Sequence, residues 1–197
     1  MQMKLIPKLF LVAILLAVVP TVIAQVVPSA MQGGSIPIVT GGGYSNFTMD
    51  WGPGHRSHGI TAWVDAYPFH GVVRNLGIEA EGRTSRWGNP VPSLREDTGQ
   101  FGAIYSMSRF SMIHPYAKFL GGIGSMDFPP STNAPNYTHD TFTVTSIAGG
   151  ADFQLYQHIW IRGDYEYQWW HQVFGSTLTP NGITIGAHWD FRRSSAP

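Results

Sequence analysis

The chain has 197 residues, with 12 basic and 12 acidic side chains and no net formal charge, so it carries no basic footprint for nucleic acid. Charged residues make up 12% of it, about half the share usual in soluble domains, and cysteine is absent, so no disulfide braces the fold. A wall with few water-facing charges, 13% aromatics and 23 glycines suits tightly curved strands better than a lysine- and glutamate-coated globule.

The first segment reads as an export signal. Lys4 and Lys8 precede the apolar run LFLVAILLAVV, and Pro20 and the small-ended Val22-Ile23-Ala24 follow. That order of charge, apolar run and cleavage site is a secretory signal peptide, and the run is too short for a spanning helix. The expected organisation is a signal peptide over 1–24, a short leader over 25–35, a barrel domain over 36–191 and a tail over 192–197. Without the signal, Lys118 is the only lysine left.

Eight strand-like stretches follow, near 38–50, 58–67, 73–84, 98–106, 115–126, 141–152, 159–170 and 182–191. Their connectors alternate between compact ones (PFHGV, MSRFSMIH, FQLYQH) and more polar ones, mostly longer (WGPGHRS, SRWGNPVPSLRED, DFPPSTNAPNYTHD, HQVFGSTLTPN). Short turns at one end and larger loops at the other are the pattern of an up-and-down antiparallel barrel, and eight is the smallest even number for a membrane barrel.

Two-residue alternation divides most of these strands into an apolar and a charged face. In 159–170, Ile159, Ile161, Tyr165, Tyr167 and Trp169 oppose Arg162, Asp164, Glu166 and Gln168. In the second strand Ile60, Ala62, Val64 and Ala66 oppose Trp63 and Asp65, and in the third Leu76, Ile78 and Ala80 oppose Glu79, Glu81 and Arg83. Lys118 faces away from Ala117 and Phe119, and Asp190 away from Trp189 and Phe191. The glycine runs 41–43 and 149–150 blur the first and sixth strands.

Alternation alone is symmetric between charges out and charges in. The low charge content, the scarcity of lysine and two aromatic bands favour lipid outside and charges inside. Trp51, Trp87, Phe128, Trp169 and Phe174 mark the loop end, and Tyr67, Phe69, Phe110, Phe153, Tyr156 and Trp189 the turn end. The expected lumen network is Asp65, Glu79, Glu81, Arg83, Lys118, Arg162, Asp164, Glu166 and Asp190, pairing across a lumen that side chains fill. Trp63, Trp160 and Trp170 share that face. The competing arrangement is a soluble lipocalin-like ligand carrier with its aromatics in the core.

GGGYSNF, ADFQLYQHIWIRGDYEYQWW and the final GITIGAHWDF resemble strands of the small outer-membrane β-barrel family of Gram-negative bacteria, that of the OmpA transmembrane domain and OmpX-type proteins. The resemblance spans about 36–191. It implies an all-β, eight-stranded antiparallel transmembrane barrel in the outer membrane, among outer-membrane lipid and lipopolysaccharide, with no cofactor. It also implies that Trp189 and Phe191 form the C-terminal signal read by the barrel-assembly machinery, although RRSSAP continues past Phe191. The peptidoglycan-binding domain of full OmpA is not in the sequence.

The expected work is structural, or interaction through the loops with an extracellular ligand or host surface. A narrow porin-like solute channel is the alternative. A lipid A-modifying enzyme would draw on Ser57 and His55 of HRSH, but adjacency supplies no nucleophile–base geometry. His55, His58, His139 and His171 share the loop end without a ligand spacing that marks a metal.

Overall fold

The structure is a computed structural model that describes residues 36–48, 56–87, 95–107, 112–127 and 138–191. The expected signal peptide, leader and tail, together with Trp51, His55, Phe110 and Phe128, lie outside the described residues, as does the side chain of Trp87. The strands are β1 (Ile38–Thr48), β2 (Arg56–Ala66), β3 (Leu76–Trp87), β4 (Arg95–Ser106), β5 (Ile113–Asp127), β6 (His139–Tyr156), β7 (Ile159–Val173), β8 (Ser176–Leu178) and β9 (Asn181–Asp190).

Each long strand pairs antiparallel with its neighbour in the chain, and β9 pairs with both β7 and β1, which closes the barrel. Following registered partners once around makes the geometry explicit. Ile38 leads to Ala66, Ile78, Ala103, Phe119, Ile147, Tyr167 and Asn181, and then to Thr48, ten positions up β1 from the start. Eight strands with that stagger tilt by roughly 40° to the axis.

The sheet is inverted relative to a soluble protein. Ile60, Val64, Ile78, Phe101, Phe119, Ile123, Ile147, Ile183 and Ile185 are 44–69% exposed on the outside, while Asp65, Glu79 and Glu166 are fully buried within. Water penalises such an exterior and acyl chains do not. On β7 the outer row runs from Ile159 to Trp169, and ten steps at about 3.3 Å, tilted by about 40°, give a band about 25 Å tall, the height of an outer-membrane hydrocarbon wall.

All eight expected stretches form strands, with revised ends. β3 starts at Leu76 rather than 73 because Gly71–Val73 closes a single 3-10 turn, with Gly71 at φ 69°. β6 continues to Tyr156, leaving Gln157 and His158 as the turn. The connector 171–181 is largely hairpin. β7 runs to Val173, Phe174 (φ 49°) and Gly175 (φ 81°) turn, and β8 returns beside β7. Two successive positive φ values twist the chain as a tight hairpin requires. Pro180, which has no N–H for the ladder, stands between β8 and β9. Tyr67 is a correction to the turn-end aromatic band: only 9% exposed, it packs inside with Val39, Ile104 and Tyr116. Phe153, Tyr156, Trp189 and Phe174 are exposed.

Candidate functional site in the lumen and at the loop-end rim

The inner face of the barrel carries a connected ladder of ion pairs. Arg162 on β7 donates from Nη2 to Asp65 Oδ2 (2.7 Å), from Nη1 to Glu79 Oε2 (3.0 Å) and from Nε to Asp152 Oδ1 (2.9 Å). Lys118 on β5 donates to Glu79 Oε1 (2.7 Å) and Glu81 Oε2 (2.6 Å), with Asp164 Oδ2 at 3.6 Å. Arg83 on β3 spans Glu81 Oε1 and Glu166 Oε2, both at 2.6 Å, and donates from Nε to Thr61 Oγ1 (3.0 Å). Gln168 then donates to Glu166 (2.7 Å), and the Trp170 indole to Gln168 (2.8 Å). The Tyr116 hydroxyl donates to Asp164 Oδ2 (2.7 Å).

Burial of so many charges is tolerable because each cation meets two or three carboxylates in a medium that weakens water's screening. Aromatic faces add to this: the Arg162 guanidinium lies 4.6 Å from the Tyr116 ring centre and 5.0 Å from that of Trp63, and Arg83 lies 4.0 Å from that of Phe47. Apolar clusters flank the ladder. At the turn end stand Val39, Tyr67, Ile104 and Tyr116, and at the loop end Met126, Phe142, Val144, Trp170 and Val173.

Of the residues expected in the lumen, Asp65, Glu79, Glu81, Arg83, Lys118, Arg162, Asp164 and Glu166 are brought together in the ladder, and Asp190 is buried on the same face at the turn end. Asp152 was missed, although it holds Arg162 through two bonds of 2.9 and 3.2 Å. The glycine pair at 149–150 hid its parity. Counting back from Asp152 by twos to Gly150, Ala148 and Ser146 would have found it.

Two of the three lumen tryptophans, Trp63 and Trp170, lie where the wall has no side chain. A Cβ on Gly41 would stand 2.6 Å from the Trp63 ring, and one on Gly124 would stand 2.4 Å from the Trp170 ring. Gly124→Val is therefore expected to displace Trp170 and cost about 1–3 kcal/mol by overpacking, read as a lower urea midpoint for the folded barrel. An unchanged midpoint would show that Trp170 is not seated there.

The HRSH stretch lies partly in β2, not in a loop: Arg56, Ser57 and His58 are strand residues. Ser57 points inward and is 1% exposed, whereas His58 is exposed on the outside, so alternation separates this hydroxyl from this imidazole. The described histidines of the loop end do not converge. His58 meets Tyr44 and Asn46, His139 meets Asp127, and His171 meets Thr145. Among the described residues no group of three or more His, Asp or Glu is arranged to hold a metal.

No protein-family model matches the sequence, and no curated protein matches it. Solved structures do. Neisserial surface protein A superposes with a TM-score of 0.57 at 12% identity, over 79% of this chain and 97% of that one. Ail, the attachment invasion locus protein of Yersinia pestis, in complex with the heparin analogue sucrose octasulfate, gives 0.53 at 13% identity, over 80% and 100%. The N-terminal β-barrel domain of Pseudomonas aeruginosa OprF gives 0.50 at 11% identity, over 78% and 97%. The chain has the fold of the small eight-stranded outer-membrane β-barrels.

Proposed function

We propose that this chain is an exported barrel of the bacterial outer membrane, with a solute-tight lumen and a structural or surface-interaction role carried by its loops. The observation that supports it most is the lumen ladder held between two apolar clusters, inside a wall whose outer face is apolar over about 25 Å. An eight-stranded barrel is just wide enough for side chains to fill, and here charged and aromatic side chains fill it. Ion pairs between strands add rigidity to the wall, and a lumen filled in this way would leave no water-lined path.

Recording in planar bilayers tests the closed lumen. The purified chain is expected to produce no discrete current steps. Reproducible openings whose size changes with Trp170→Ala would overturn it. Cell fractionation with heat-modifiable gel mobility tests the location, with the folded band expected in the outer-membrane fraction.

A second reading has one observation in its favour. The ladder holds six carboxylates (Asp65, Glu79, Glu81, Asp152, Asp164, Glu166) against three cations (Arg83, Lys118, Arg162). Asp65 Oδ1 and Asp164 Oδ1 find no hydrogen-bond partner among the described residues. A narrow path with that excess would prefer cations, so cation-selective steps in the same recordings would favour conduction.

A further inference from the structure

At the loop ends of β2, β3 and β4 the outer face changes from apolar to basic. Arg56 and His58 on β2 and Arg86 on β3 are exposed. Register sets His58 opposite Arg86, and Arg86 opposite Arg95. Like charges opposite one another across a strand pair repel. Arg95 is neutralised by Asp97, which its guanidinium grips at 3.0 and 2.8 Å. The exposed ion pairs of the described residues are this one and Asp127–His139, so among the described residues neither Arg56 nor Arg86 meets a carboxylate.

Arg56 and His58 are tied in place. Arg56 donates to Asn46 Oδ1 (2.8 Å), and the Asn46 amide donates to His58 Nδ1 (2.9 Å), which the Tyr44 hydroxyl also meets. Two donors on Nδ1 require its lone pair, so the neutral ring carries its proton on Nε2 and offers a donor at its other edge. Arg56 is a diagonal neighbour of Arg86, at a Cα spacing on the order of 7–8 Å, close enough for one anion to span both.

Below this rim the wall is thin. Gly42, Ala62, Gly82 and Gly99 occupy one registered row, with no side chain longer than a methyl. A Cβ on Gly99 would meet nothing within 4 Å, and one on Gly82 only the Thr98 carbonyl at 4.0 Å. Ile60 and Phe101, 67% and 69% exposed, stand to either side of the row. The result is a shallow trough below three donors, separated from them by the row Ile60–Thr84–Asp97, in which Asp97 is engaged by Arg95.

We propose that this face seats a phosphorylated lipid of the outer leaflet, its phosphate on Arg56, Arg86 and His58 Nε2–H and an acyl chain along the Gly82–Gly99 trough. The proposal rests on the outer-membrane reading. It supplies an anion for two adjacent guanidinium groups that have no carboxylate partner among the described residues, and it uses the thin wall that begins one row below them.

The test uses the full mature chain folded in detergent, with bound lipid counted by native mass spectrometry. The probes are diphosphorylated lipid A, the same lipid with its phosphates removed, and inorganic phosphate. The native barrel is expected to retain the phosphorylated probe about tenfold over the dephosphorylated one, and the Arg56→Gln/Arg86→Gln pair to lose that preference. Gly99→Leu is expected to weaken retention of both lipids, and Arg74→Gln at the turn end to change nothing. Equal retention by the native and doubly substituted barrels overturns the site. Inorganic phosphate displacing the lipid at equal concentration overturns the assignment to a lipid. A barrel that inserts and shows heat-modifiable mobility, yet shows no lipid preference, sinks this proposal alone. A chain that stays soluble without detergent sinks the outer-membrane reading beneath it.

Discussion

Arg162→Met is expected to destabilise the barrel by about 3–5 kcal/mol, the usual cost of stranding buried charges by removing their partner. Arg162 is 1% exposed and its guanidinium joins three strands, through Asp65 on β2, Glu79 on β3 and Asp152 on β6. Methionine keeps much of the volume but leaves three carboxylates without their shared guanidinium, with Lys118 still on Glu79 and His188 Nδ1 3.7 Å from Asp152. The readout is the urea midpoint of the barrel refolded in lipid vesicles, followed by tryptophan fluorescence and gel mobility. Adding Asp65→Asn and Glu79→Gln to Arg162→Met should recover most of the loss, because two of the stranded charges are then gone. A single substitution that costs less than about 1 kcal/mol, as surface pairs do, would mean that water reaches the ladder.

The second large effect concerns the outer wall. Phe119, 57% exposed, lies in the middle of the apolar band, whereas Thr143 lies on the same face nearer the loop end. In a bilayer Phe119→Arg is expected to cost about 2–4 kcal/mol, and Thr143→Arg about 0–1 kcal/mol. In a water-soluble barrel both positions would already be solvated, and both substitutions would fall within about 0.5 kcal/mol of the parent. The difference between the two variants in vesicles therefore separates lipid from water outside the sheet. Equal small effects would remove the basis for a membrane location.

The alternation of β2, β3, β7 and β9 was legible because side chains on a strand change face at every residue, whatever the strand pairs with. That local rule placed Glu79, Arg162 and Glu166 on one face and Ile78, Ile161 and Ile183 on the other. The rule was obscured in β6 for two reasons. Gly149 and Gly150 carry no side chain to count. Nearer the loop end the sides exchange character, as Thr141, Thr143 and Thr145 point outward past the apolar band while Phe142 and Val144 point inward against Trp170. The exchange follows from height relative to the membrane, which one strand's sequence does not record.

Adjacency in HRSH supplies no nucleophile–base geometry, and strand alternation places Ser57 and His58 on opposite faces. The hairpin of β7 and β8 is hidden in the sequence because Phe174 is an unusual residue at positive φ, accepted there beside Gly175.

An all-β chain with two chemically distinct faces and connectors of two kinds is legible from the residues alone, because periodicity and turn chemistry are local properties. Barrel closure is what leads Ile38 around to Thr48, brings Arg162 to Asp65 across 97 positions of chain, and sets Arg56, His58 and Arg86 on one rim. Those juxtapositions depend on strand register and stagger, which closure of the whole barrel sets collectively and no single strand encodes.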